Sequence, residues 1–168
     1  MYAVSSSDSL VDRMAEHAPQ FKGYGESENR RASDKIARET WGKELRFSIE
    51  VLSKQLNANS RLEESKKQVA QTVIRKLNLL VEAFGQSAGD TPLFRAKDLD
   101  EGDIEAIVTL DLNLLTRSTA IKEKAIRTSR EIASSPSWDN EVDELYNKIK
   151  DLDETWKRRG RLISTIGT

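Results

Sequence analysis

Cysteine is absent from the 168-residue chain, which excludes disulfides, thiolate catalysis and the Cys-containing zinc sites. A single histidine, His17, excludes any mechanism that needs two imidazoles, including the paired Glu-x-x-His ligands of di-iron bundles. No nucleophile signature accompanies it, so a solvated histidine at a helix end is the simpler reading. Only three prolines and eight glycines are present, and they crowd into a few short stretches. That leaves little sequence for hairpin turns and argues against an all-β fold. No run approaches the roughly 18 apolar residues of a membrane-spanning helix. The first nine residues lack the basic start and apolar core of a cleavable secretory signal. A cytoplasmic location is therefore expected, with Ser5, Ser6 and Ser7 leaving signal-independent export open. No phosphate-cradling glycine loop of the Walker or Rossmann type occurs. A formal charge of -1 also removes the whole-protein electrostatic argument for nucleic acid.

What the chain does contain is charge and helical periodicity. Charged residues make up 33% and hydrophobic residues 37%, the balance expected when long helices each expose a broad solvated face. Residues 8–18 predict a short helix with Leu10, Val11 and Met14 on one side and Pro19 as its stop. The polar, glycine-broken stretch after Gly23 reads as a joint, so 1–27 is expected to be a flexible N-terminal arm and 28–168 a helical bundle domain. The first long helix is predicted over 29–57, with Trp41, Leu45, Ile49, Leu52 and Leu56 at spacings of four and three. Projected at 100° per residue, Ile36, Phe47, Val51 and Ala58 form a second stripe nearly opposite the first.

Ser60 followed by Glu63 is a capping-box pattern that predicts the start of a second helix. Leu62, Val69, Val73, Leu77, Leu80 and Phe84 continue its stripe, and Gly85 is expected to close it in a left-handed conformation. The short join predicts a helical hairpin. An irregular connection follows. Its Asp98, Asp100, Glu101 and Asp103 fit the acidic capping of a third helix over 101–134 better than calcium ligation: in an EF-hand register beginning at Asp98, the fifth position falls on Gly102 and the twelfth on Thr109. Ile107, Leu110, Leu114, Ile121, Ala125 and Ile132 mark the face of that third helix, flanked by Ile104, Val108, Leu115 and Ile126.

Pro136 separates a fourth helix, with Ser137 or Asp139 as its cap and acid in its first turns, as the helix dipole favours. Its seam is Trp138, Val142, Leu145, Ile149, Leu152, Trp156, Ile163 and Ile166. Arg159 holds the one discordant position, and Gly160 either ends the helix or lies inside it. The fold class expected is all-α: an antiparallel bundle of about four long helices with a short N-terminal helix.

The surplus apolar face on the first long helix points to a non-catalytic interaction module, a helical adaptor, effector or assembly subunit. Its partner would be another protein or a second copy of this chain, with Ile36, Phe47 and Val51 as contact residues. The alternative is an anionic partner held by Arg158, Arg159 and Arg161, although acidic residues interleave along every helix and disfavour nucleic acid. No catalytic constellation, metal site or cofactor motif is assigned.

Overall fold

The structure, a computed structural model, describes residues 6–86, 88–132 and 136–166. Among these the fold is all-α, with extensive helix–helix packing and no strand. α1 spans Ser6–Ala15, α2 Arg30–Ala58, α3 Glu64–Gly85, α4 Pro92–Arg95, α5 Glu101–Glu131 and α6 Trp138–Thr165, with a 3-10 turn at Ser27–Asn29 before α2. No helix is long and apolar enough to cross a membrane.

Several helix ends differ from the sequence expectation for local reasons. α3 begins at Glu64 rather than Ser60, because residues 59–62 first close a turn through Leu62 N–H and Asn59 O (3.1 Å). Glu63 O then accepts the first helical bond, from Lys67 N–H at 3.1 Å. Gly85 ends α3 without a left-handed φ; the next glycine along the chain, Gly89, takes that conformation, at φ 64°. α5 is capped as its acidic start implies: Asp100 Oδ1 accepts Gly102 N–H at 2.7 Å, and Asp100 O accepts Ile104 N–H. Its expected end at Ser134 lies outside the described residues. α6 continues through Gly160 to Thr165.

The chain divides into two compact units. One comprises Trp41–Gly85 and Thr116–Asp153, and is built from segments of α2, α5 and α6 together with α3. Trp41 packs edge-on against Phe84, with ring centroids 5.5 Å apart, which seats the end of α3 beside the start of this α2 segment and makes the two antiparallel. Lys66 over Trp138 (5.5 Å) and Lys76 over Tyr146 (5.1 Å) align α3 and α6 in the same direction. Leu45, Leu52, Val73, Leu77, Leu80, Ile121, Ala125, Val142, Leu145, Ile149 and Leu152 fill its core. These are the stripe positions that helical periodicity selects, and burying one such side chain stabilises by about 1.5–3 kcal/mol.

The other unit comprises Met1–Thr40, Gln86–Leu115 and Glu154–Thr168. Met14, Ala18, Phe21 and Tyr24, all within the span expected as an arm, are buried in the structure. Gly23 is confined by its neighbour: it has φ 75°, and a Cβ there would lie 2.6 Å from Val11 Cγ2. Glycine is thus required where α1 closes onto the following turn. Leu93, Ile104, Ile107, Val108, Leu114, Leu115, Ile163 and Ile166 supply the remaining apolar core.

Candidate functional site

α6 carries its seam at alternating steps of four and three, and the position between Trp156 and Ile163 falls to Arg159. Helical geometry therefore sends Arg159 inward with its apolar neighbours, and its side chain is only 1% exposed. Its charge is compensated by two carboxylates from other helices. Arg159 Nε donates to Asp111 Oδ1 on α5 at 2.5 Å, and Arg159 Nη2 donates to Asp34 Oδ1 on α2 at 2.7 Å. Nη2 also approaches Tyr24 Oη at 3.0 Å, while the Tyr24 hydroxyl donates to Asp111 Oδ2. Arg38 completes the cluster by donating from Nε to Asp34 Oδ2 at 2.8 Å.

A second buried cation, Arg30, is held differently. Its guanidinium makes four hydrogen bonds to backbone carbonyls: Tyr24 O (2.8 Å), Gly25 O (3.3 Å), Leu93 O (3.3 Å) and Ala96 O (2.6 Å). These tie the turn before α2 to α4, satisfying carbonyls that helix termini leave over.

Burial pushes the Asp111 carboxyl above its ordinary range, and Arg159 offsets this only in part. Burial likewise raises the Tyr24 phenol well above its usual value, reinforced by the adjacent Asp111 charge. Tyr24 is therefore a neutral donor at physiological pH. For Arg159, burial opposes the charge, but Asp111, Tyr24 and Asp34 outweigh that penalty and hold the guanidinium protonated. The cluster gives the unit a specific polar interior; no exposed nucleophile or base lies in it.

The residues singled out from sequence are distributed as follows. Ile36 is half-buried in the unit that holds the arginine cluster. Phe47 and Val51, one helical turn apart on α2, belong to the other unit; Phe47 is 45% exposed and Val51 half-buried. Two further apolar side chains of that unit face outward from α3: Val69, 42% exposed, and Leu79, 60% exposed. Lys122 approaches the Phe47 ring at 5.8 Å and is itself paired with Glu44 at 2.6 Å. Of the three arginines grouped near the end of α6, Arg158 and Arg161 are exposed and Arg159 is buried. Arg158 and Arg161 line an open groove of about 690 Å³ with Glu105, Leu110, Asn113 and Leu162.

Sequence reading did not find Tyr24, Arg30, Asp34 or Asp111. A signal for Asp111 existed: it sits among Ile107, Val108, Leu114 and Leu115 on an apolar face, as Arg159 does on its own. Two lone opposite charges on two apolar faces are candidates for one buried pair. Comparison with known proteins finds no matching family model, no matching curated protein and no matching solved structure.

Proposed function

We propose that the chain is a non-catalytic interaction module that presents a helix face to another protein chain. The observation that carries this reading is the outward placement of Phe47, Val69 and Leu79, large apolar side chains on α2 and α3 of one compact unit. Phe47 and Leu79, 45% and 60% exposed, forgo roughly half of the about 1.5–3 kcal/mol that full burial of each is worth, and docking a partner there recovers it. Val51 lies one turn from Phe47 on α2 and extends the apolar surface along that helix.

The test compares the native chain with Phe47→Ser and Val51→Ser by light scattering and by capture of binding proteins from the native cell. Specific capture or self-association that both variants abolish, without loss of helicity, is the expected result. Identical capture and an unaltered folded monomer in all three proteins overturns the reading.

The groove beside Arg158 and Arg161 favours a second reading, in which the partner is an anionic polymer. Phosphate contacts make such binding fall steeply with added salt. Binding of a labelled single-stranded oligonucleotide at low salt, lost in Arg158→Ala/Arg161→Ala, supports it; no binding at low salt removes it.

A further inference from the structure

The outward side of α2 in the unit that contains Trp41–Gly85 carries a mixed apolar and basic stripe. At 100° per residue, Lys43, Val51 and Lys54 all fall within about 40° of Phe47, whereas the core residues Leu45 and Leu52 fall on nearly the opposite side. Phe47 is 45% exposed, Val51 is half-buried, and both lysines are exposed. Along the helix the order is therefore Lys43, Phe47, Val51, Lys54, with the apolar pair in the middle and a cation at each end.

α5 widens the apolar part. α2 and α3 are antiparallel, α3 and α6 run in the same direction, and α6 and α5 are antiparallel, the last shown by Lys124 on Glu141 and Arg117 on Asp151. α2 and α5 thus run in the same direction. Lys122 approaches the Phe47 ring at 5.8 Å and pairs with Glu44. Ile126, one turn further along α5 and half-buried, comes level with the turn from Phe47 to Val51.

The charge of this surface is unevenly compensated. Lys122 is neutralised by Glu44 at 2.6 Å, but neither Lys43 nor Lys54 has an ion-pair partner among the described residues. The two stand eleven residues apart, three helical turns and about 16 Å. An occupant that covers the face must bring apolar side chains to the middle and a carboxylate to each end. An amphipathic helix does so, because its positions i, i+4, i+7 and i+11 share one face. A flat anionic membrane fits less well: Glu50 is exposed on the same side of α2 between the two lysines, about 60° from Phe47.

We propose that this face of α2 and α5 receives an acidic amphipathic helix from a partner protein, with its apolar residues on Phe47, Val51 and Ile126 and its carboxylates on Lys43 and Lys54. The inference rests on the interaction reading and adds to it the chemistry of the partner.

The probe is a labelled peptide of about 16 residues in an alanine and glutamine background, with leucine at i+4 and i+7 and glutamate at i and i+11. This pattern is the same in both directions, so it presupposes neither a parallel nor an antiparallel approach. A second peptide carries lysine in place of the glutamates. Fluorescence anisotropy with the full-length chain should show saturable binding of the glutamate peptide, weakened by added salt and at least about fivefold tighter than that of the lysine peptide. Lys43→Glu/Lys54→Glu should exchange the preference, losing the glutamate peptide and gaining the lysine peptide, which an unfolded variant could not do. Phe47→Ser should weaken the glutamate peptide about tenfold or more. Absence of saturable binding, or binding to phosphatidylserine vesicles in preference to the peptide, overturns the proposal. A preference that does not exchange, while Phe47→Ser still weakens binding, overturns the proposal and leaves the interaction reading standing; binding that Phe47→Ser does not alter removes both.

Discussion

The two compact units bury their helices in different ways. In the unit formed by Trp41–Gly85 and Thr116–Asp153, the interior is apolar apart from Lys124 and small hydroxyls such as Ser48, whose O–H donates to Glu44 O of its own helix at 2.9 Å. Its buried charge is confined to Lys124, 7% exposed and paired with Glu141 and Glu144. In the other unit, Arg30, Asp34, Asp111 and Arg159 are all buried. Taking such ions out of water costs several kcal/mol each before pairing offsets it, so an apolar interior of the same volume would be as stable or more so. What the ionic interior adds is specificity of register: Arg159 meets Asp111 and Asp34 together only when α6, α5 and α2 are aligned to within one helical turn. Charge repels a slipped register, whereas an apolar stripe tolerates one.

The sharpest way to break this comparison is to remove one charge from the ionic interior. Arg159→Met leaves Asp111 buried without its cation and Asp34 with Arg38 alone, and should cost about 3–5 kcal/mol in urea unfolding. Adding Asp111→Leu should recover part of the loss, because an apolar pair replaces an ion pair; a double variant no more stable than the single one would show that the pair itself stabilises. In the apolar unit, Leu77→Ala leaves a cavity and should cost about 2–5 kcal/mol, with no comparable rescue by a second substitution.

Gly23→Ala should cost about 2 kcal/mol, from the left-handed backbone and the contact with Val11. It should increase hydrogen exchange in α1 before the apolar unit responds. Little change in α1 protection would show that Gly23 does not govern its docking.

The pH dependence of the two units has opposite sign. The folded pKa of Asp111 is raised, so its ionised form is a cost at neutral pH. That cost is relieved as pH falls through the raised value toward the ordinary carboxylate range. Glu144 is lowered, chiefly by its hydrogen bond to Lys124, so its contribution is present above the ordinary glutamate range and lost as pH falls below it. The stability of the native chain relative to Asp111→Asn should therefore rise on mild acidification, while that relative to Glu144→Gln should fall on stronger acidification. Parallel unfolding curves across pH would contradict both.

The smallest expected effect is that of Phe47→Ser, which should cost the monomer about 1 kcal/mol, because the ring is 45% exposed and its covered part touches little beyond Lys122 at 5.8 Å among its ring contacts. A much larger loss would mean that Phe47 belongs to the core rather than to a docking face.

The helices were legible in the sequence because their signals are local. Three-four spacing and sparse glycine and proline mark α2, α3, α5 and α6, acidic first turns mark the last three of these, and the α6 seam is buried at Trp138, Val142, Leu145, Ile149, Leu152, Ile163 and Ile166. The α2 stripe is buried at Trp41, Leu45 and Leu52, with Ile49 and Leu56 half-buried. The α3 stripe departs at its start, where Ala70 is buried and Val69 faces out. An apolar stripe fixes which side of a helix seeks cover, but not how far along the helix the cover extends.

The polar interior required tertiary structure. Arg159 lies 125 residues from Asp34 and 48 from Asp111, and no periodicity within one helix joins them. Read along the chain, Arg159 was an interruption in a seam and a basic neighbour of Arg158 and Arg161. The sequence by itself determined that this position falls on the seam side of α6 if the helix runs on past Gly160; that it does run on, to Thr165, is seen in the structure. Only the packing of α2, α5 and the segment carrying Tyr24 decided that the inward arginine meets two carboxylates and a phenol. The physical reason is that a buried charge is tolerable only where partners converge on it, and convergence is a property of three-dimensional arrangement.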